Sequence, residues 1–275
     1  MMLEKRMTFP AYLTYLLSRG QVAFTAAQAQ EDLGISRGAL LDAADRQRRR
    51  KHLLTPRRGF YVIVPPQFLS WGAPPPAWYI HDLMDHEQSP YYVGLLKAAE
   101  LHGATHQAVM EFQVITDKRL PRIKAGRSTI AFYYRKDMAA ITFAQQNYKT
   151  DTGLMKISGP ELTAFDLVRY PHAAGGLDHV VTVLADLGKL IDETRLAELA
   201  SRFERAVLQR LGYLLCFSGH KDKAGALDEP LRARTPTPWI ELEPALTRDS
   251  NFTPASILRD KRWHVVVRRM PQIDE

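Results

Sequence analysis

Between Val64 and Ala77 the chain carries Pro65, Pro66, Pro74, Pro75 and Pro76, with Gly72 among them. Each proline removes a backbone donor and fixes φ, so neither a helix nor a central strand can run through this stretch. Residues 65–76 therefore read as a stiff, extended linker, pinned by Phe68 and Trp71. It divides the 275 residues into an N-terminal domain, 1–70, and a larger C-terminal domain, 77–275.

The N-terminal segment resolves into helices by their start and stop signals. Thr8 caps a helix with Phe9, Leu13, Leu16 and Leu17 on one face, ending at Gly20. Thr25 caps a short helix from Ala26 to Asp32, and Gly34 suits the left-handed turn that ends it. Ser36 caps a third helix running to about Lys51, with Leu40, Ala43, Ala44 and Gln47 along its inner face. The link Leu33-Gly34-Ile35-Ser36 between the last two makes a helix-turn-helix, whose second helix enters the DNA major groove. Leu53-Leu54-Thr55 and Phe60 to Val64 then flank Pro56-Arg57-Arg58-Gly59, a hairpin with a basic tip. Three helices followed by a hairpin predict a winged helix-turn-helix.

Charge points the same way. The chain has 37 Lys and Arg against 30 Asp and Glu, a net charge of +7. Arg46, Arg48, Arg49, Arg50, Lys51, Arg57 and Arg58 fall in one window without an acid and equal that whole excess. Such a concentration belongs to one surface, whose natural partner is a polyanion. Ser36, Arg37 and Leu41 occupy the early recognition positions, and Arg37 is the early side chain able to fork onto a guanine edge. The run Arg48 to Lys51 is placed for phosphate, Arg46 belongs to the same DNA-binding set, and Arg57 and Arg58 on the wing reach the backbone or the minor groove. Arginines at a helix C-terminus also favour the macrodipole, which accounts for one or two cations but not for this many.

The larger part mixes both periods without regular alternation, so the fold class is α+β: the winged helix-turn-helix followed by a larger mixed α/β domain. Helical patterns lie at Pro90–Leu101, Glu161–Tyr170, Leu177–Leu187 and Glu193–Leu215; strand patterns at Phe112–Thr116, Ile130–Tyr134, Ile141–Phe143, Leu154–Ile157, Trp239–Leu242 and Trp263–Val267. Ser158-Gly159-Pro160-Glu161 has the spacing of a capping box.

Other function classes find little support. With 45% hydrophobic and 24% charged residues, no apolar run long enough to span a bilayer and no secretory signal, the composition fits a folded cytoplasmic protein. The single cysteine, Cys216, forms no internal disulfide and sits in an apolar run that predicts a buried thiol. His81 and Asp85 share a helix face at metal-ligand spacing but need further ligands. His102 and His106 have zincin spacing with Gly103 where the glutamate belongs. Asp166, Glu241 and Glu243 do not fall into a metal-dependent nuclease or nucleotidyltransferase pattern, and Ser218-Gly219-His220-Lys221 reads as a loop. No catalytic residue, cofactor or metal is expected.

Several longer stretches resemble a known family. These are Arg58-Gly59-Phe60-Tyr61-Val62-Ile63-Val64-Pro65, Tyr91 to Ala104, Ile157-Ser158-Gly159-Pro160-Glu161 through Val168, Gly175-Gly176-Leu177-Asp178, and Trp263 to Val267. In order and spacing the chain resembles the AbiEi family, antitoxins of the type IV toxin–antitoxin (abortive infection) systems of bacteria. The resemblance implies two roles: an N-terminal domain that represses its own operon by binding inverted repeats in duplex DNA, and a C-terminal domain that counters the toxin. The implied partner is a nucleotidyltransferase-like toxin, neutralised without a stable complex. Two alternatives stay open. A nucleic-acid-processing enzyme docked by the winged helix would show convergent carboxylates or histidines, and a ligand-responsive regulator would show a deep apolar pocket in the large domain.

Overall fold

The computed structural model describes residues 7–105, 108–248 and 256–273. It is a mixed α+β structure that divides into two compact units: one of residues 1–92, 110–138 and 147–156, the other of residues 93–109, 139–146 and 157–275.

In the first unit, helix α1 (Phe9–Ser18) is capped by Thr8, whose hydroxyl accepts from the Ala11 amide. Its Phe9, Tyr12, Leu13 and Leu16 recur at helical spacing and are buried. Strand β1 (Ala23–Thr25) leads through the Thr25 cap into α2 (Ala26–Leu33). Gly34 ends α2 at φ 60°, ψ 38°, a left-handed conformation that costs glycine little and a β-branched residue much. Ser36 then caps α3 (Arg37–Arg49), which turns Leu40, Ala43, Ala44 and Gln47 inward. The Tyr12 hydroxyl donates to Asp32 at 2.6 Å and ties α1 to α2; burial, and then Asp32, raise its pKa.

Strands β2 (Leu53–Arg57) and β3 (Phe60–Ile63) form a hairpin, and β1 completes an antiparallel sheet in the order β1-β3-β2. The β2–β3 register shifts between Leu54 and Arg57, where Pro56 supplies no ladder donor. Central β3 is buried at all four residues. Tyr61 and Ile63 join the core of α1, α2 and α3, while Phe60, on the other face, lies 5.4 Å ring to ring from His86. His86 belongs to α4 (Ile80–His86), and its Nε2 is 3.1 Å from the Arg58 carbonyl.

The proline-rich stretch is held at several points. Two short 3-10 turns, Pro66–Phe68 and Pro76–Trp78, bracket it, and Phe68 meets Trp78 edge to face. The Arg127 amide donates to the Trp71 carbonyl at 3.0 Å, and Arg127 lies over the Trp71 ring. The Trp78 indole donates to Asp151.

Most of the larger sheet also falls in the first unit. Its strands are β4 (Tyr91–Val93), β5 (Glu111–Thr116), β6 (Ile123–Ala125), β7 (Ser128–Tyr134), β8 (Gln145–Thr150) and β9 (Gly153–Ser158), in the order β6-β7-β5-β4-β9-β8. β5 pairs with β7 in parallel, and the β6–β7 hairpin is antiparallel.

The second unit is mainly helical. It contains α5 (Leu95–Leu101), α6 (Pro160–Arg169), α7 (Leu177–Leu187), α8 (Glu193–Ala200), α9 (Arg205–Phe217), α10 (Lys221–Gly225) and α11 (Asp228–Arg232). A small sheet, β10 (Ile240–Glu241), β11 (Leu258–Asp260) and β12 (Val265–Val267), has the order β10-β12-β11. All eight residues Glu161–Val168 of α6 are buried. Trp263 lies so close to Gly212 on α9 that any Cβ there would sit 2.3 Å from the indole.

Several expectations are corrected. Pro90–Leu101 is a strand and a helix rather than one helix, because the β-branched and aromatic Tyr91-Tyr92-Val93 find a sheet position. Ile141–Phe143 lies in a 3-10 stretch, Ala139–Ala144. Glu193–Leu215 splits into α8 and α9. The capping box does not form: Ser158 Oγ bonds Thr163 Oγ1 at 2.6 Å, and Glu161 accepts from the Asp192 amide at 2.7 Å. Cys216 is partly exposed, with Arg262 Nη1 at 3.8 Å from its sulfur.

Candidate nucleic-acid interface

The predicted contact residues lie on α3, on the turn after it and on the β2–β3 hairpin. Because α3 advances about 100° per residue, its buried Leu40–Gln47 stripe leaves two flanks and an apex in solvent. Arg37, Leu41 and Arg48 share one flank, Arg46 and Arg50 the other, and all five are exposed. Leu41 is 51% exposed, unusual for leucine on a helix with a packed inner face. Ser36 is spent on the cap, its Oγ accepting from the Ala39 amide at 3.3 Å. On the second flank, Arg46 and Arg50 line a shallow hollow of about 230 Å³ against Thr8, Phe9 and Pro10 at the start of α1.

Charge on this helix is not all free. Asp45, one residue outside the basic window, pairs with Arg48 at 2.6 Å and with Arg49 at 2.8 Å. The hydrogen bond from Arg48, with Arg49 beside it, holds the Asp45 carboxyl below the usual carboxylate range. Asp42, also exposed, stands near Asp45 at the helix apex. Both aspartates lie just before the acid-free window that begins at Arg46. Arg37, Arg46, Arg50, Lys51 and Arg58 have no acidic partner among the described residues. Lys51 takes φ 62° in the turn from α3 into β2.

Arg57 behaves differently from Arg58. Its Nε donates to Glu87 at 2.9 Å, its Nη2 to the Pro121 carbonyl at 2.6 Å, and its guanidinium lies 5.7 Å from the Phe132 ring centroid. Its side chain is only 18% exposed. The structure thus brings nine of the ten predicted residues to solvent and turns Arg57 inward, onto α4, β7 and the segment before β6. Packing of β2 on β6 also brings Lys124, exposed on β6, to this part of the unit. No sequence pattern singled out Lys124, because a three-residue strand carries too little periodicity to be read.

The remaining sequence candidates are engaged otherwise. His81 Nε2 is 3.6 Å from Asp85, and among the described residues no group of three His, Cys, Asp or Glu could hold a metal. His102 Nε2 bonds the Ser158 carbonyl at 2.8 Å; His106 lies outside the described residues. His220 Nε2 is 2.9 Å from the Ala185 carbonyl. Glu241 pairs with Arg268 and Glu243 with Arg269. No helix among the described residues is long and apolar enough to cross a membrane.

Residues 92–217, from β4 to the end of α9, match the family model of the AbiEi antitoxin C-terminal domain. This stretch is an AbiEi antitoxin C-terminal domain. Its place in a toxin–antitoxin pair is therefore that of the antitoxin. The AbiEi match covers most helices of the second unit together with β5 to β9, and it begins well after α3 and the hairpin. No curated protein matches the sequence. Among solved structures, the RV2827C protein from Mycobacterium tuberculosis is similar in fold at TM-score 0.66 and 20% identity. That likeness covers 93% of this chain and 89% of the other, so it includes elements on both sides of the AbiEi match.

Proposed function

We propose that this AbiEi antitoxin is also a DNA-binding autorepressor of its own operon, and that the pair is of type IV. In this reading residues 1–70 are a winged helix-turn-helix for operator inverted repeats. Residues 77–275, beyond the 65–76 segment, counter a nucleotidyltransferase-like toxin in the cytoplasm without a stable complex and without catalysis. The observation that carries it is the set of unpaired, exposed cations on α3 and the hairpin: Arg37, Arg46, Arg50, Lys51 and Arg58. Helix α2, the Gly34 turn and α3 supply a helix pair of the right length, and the three-stranded sheet supplies the wing.

Arg37 and Leu41, early on the first flank, are assigned to base edges, with Arg48 following them about two to three turns later. Arg46 and Arg50, beside the first turn of α1, are assigned to phosphate, as are Arg49, Lys51 and Arg58. Arg57 is assigned to hold the hairpin rather than to meet DNA.

The test is titration of the full chain against the duplex upstream of its gene at several salt concentrations. Arg46→Ala, Arg50→Ala and Arg58→Ala are each expected to reduce the log–log salt slope by about 0.9. Arg37→Ala is expected to cost about 1–3 kcal/mol on the operator and far less on unrelated duplex. Salt slopes unchanged in all of these variants would end the DNA-binding reading.

A further inference from the structure

Arg210, on α9, presents an unusual combination. Its Nε donates to the Glu241 carbonyl at 3.1 Å, and no other partner exists for the guanidinium among the described residues. The acids near it in space are already taken: Arg268 forks onto Glu241, and Arg269 onto Glu243. Neighbouring arginines of the same unit are satisfied. Arg234 donates to the Phe203 and Ala200 carbonyls, and Arg169 donates to Glu204 at 2.6 Å. Arg210 is half-buried as well, and desolvation lowers its pKa from the ordinary arginine value. A partly desolvated charge without a counter-charge costs stability unless something binds it.

Arg210 lines a cavity of about 370 Å³ within the second unit. Val168, Leu177, Val180, Val207 and Leu242 give it apolar walls. His172 and the paired Arg169 and Glu243 add polar points at the edge. Glu243 is neutralised by Arg269 and Arg169 by Glu204, so Arg210 leaves the lining with an excess of one positive charge. Gly176 and Leu177 bring the start of the 11-residue helix α7 to the same wall, and no side chain caps its free amides. A pocket near the low end of about 300–1,000 Å³, mostly apolar with few convergent polar groups, has the form of a small-molecule site.

We propose that this cavity binds a small organic anion, with an apolar body against Val180 and Val207 and a carboxylate or phosphate on the Arg210 guanidinium. Four guanidinium N–H groups remain to receive the anion, and the planar fork suits two oxygens at once. Most of the lining falls within the AbiEi match, with Leu242, Glu243 and their neighbours closing it from beyond. The antitoxin domain would thus carry a ligand site separate from any DNA-binding face.

The experiment uses the full chain and four probes: benzoate, phenyl phosphate, inorganic phosphate and neutral benzyl alcohol, followed by calorimetry and thermal shift. Benzoate or phenyl phosphate is expected to bind saturably and raise Tm; inorganic phosphate is expected to bind more weakly and benzyl alcohol not at all. The tighter of the first two identifies the headgroup. Arg210→Gln is expected to lose roughly ten- to a hundredfold in affinity, and Val180→Trp, which fills the cavity and leaves Arg210 intact, to lose binding as well. No probe binding below about 10 mM, or unchanged binding in Arg210→Gln, overturns the proposal. A ligand-free measurement tests it separately. Arg210→Met removes an unpaired charge and is expected to raise Tm; a lower Tm would mean that Arg210 serves to anchor the Glu241 carbonyl, and the site would be abandoned.

Discussion

Arg46, Arg50 and Arg58 stand in solvent with no acidic partner among the described residues, whereas Arg262, Arg268 and Arg269 of the second unit each close on carboxylates. Arg262 forks onto Asp228 at 2.8 and 3.1 Å, and Arg268 forks onto Glu241 at 2.9 and 3.1 Å. Arg269 spans Asp178 at 2.6 Å and Glu243 at 3.0 Å. Hydrogen bonds donated to Asp228, Glu241 and Asp178 hold these three guanidiniums above the ordinary arginine pKa. An arginine whose fork is filled by carboxylate has little left for phosphate, while Arg46 and Arg50 on the second flank of α3 keep their donors. Basic residues thus do opposite work in the two regions: they join segments distant in sequence in one and leave a surface open in the other. Arg57 belongs with the joining set although its neighbour Arg58 does not.

The sharpest way to break this contrast is truncation. A fragment ending at residue 70 loses α4 and strips cover from Phe60 and Val62, both at most 1% exposed in the chain. Burial of such side chains is worth about 1.5–3 kcal/mol each, so the fragment is expected to melt well below the intact chain and to bind a hydrophobic dye. A fragment ending at residue 92 restores His86 and Glu87 and is expected to recover much of the loss. Equal melting of the two in calorimetry would mean that the hairpin does not depend on α4.

Next in size is the Arg57–Glu87 pair, whose side chains are 18% and 19% exposed. Arg57→Ala is expected to cost about 2 kcal/mol of stability in urea unfolding, since Glu87 is left partly desolvated and the Pro121 carbonyl loses its donor. Its DNA salt slope is expected to stay at the wild-type value. A slope reduced as in Arg58→Ala would move Arg57 into the open set.

Arg269→Ala is expected to cost about 1 kcal/mol once solvent screening is allowed for, because Asp178 and Glu243 both lose a partner on a partly exposed surface. No change in DNA affinity should accompany it. The smallest stability effect is expected for Arg50→Ala and Lys51→Ala, with Tm within about 2 °C of the parent while DNA affinity falls. A clear Tm loss in either would reveal a structural contact where none is described.

Local chemistry made much of the first unit legible. Thr8, Thr25 and Ser36 cap the three helices at the expected places, and Gly34 takes the left-handed turn, because caps and turns depend on atoms two or three residues away. The apolar positions of α1 and α3 are the buried ones. One further signal was available: Phe60-Tyr61-Val62-Ile63 is continuously apolar rather than alternating, which marks a strand covered on both faces. The prolines at 65–76 do interrupt regular structure, but the Trp71–Arg127 and Trp78–Asp151 hydrogen bonds join residues more than fifty positions apart, and composition carries no trace of them. Short elements such as β4 and β6 were beyond reach for the same reason: three residues hold no readable period, and only their sheet neighbours stabilise them.

What the sequence determined by itself was the set of local commitments: helix starts, the turn before α3, the hairpin and the supply of cations near it. These rest on backbone geometry and nearest-neighbour hydrogen bonds, which any short segment carries with it. The tertiary structure alone decided which of those cations are free. Asp45 lies within a turn of Arg48 and Arg49, but Glu87 reaches Arg57 across 30 residues and Asp178 reaches Arg269 across 91. The same holds for Arg210, whose isolation arises because Arg268 and Arg269 have already claimed its neighbouring acids. Coulomb interactions depend on distance in space, and a linear count of charge has no access to it.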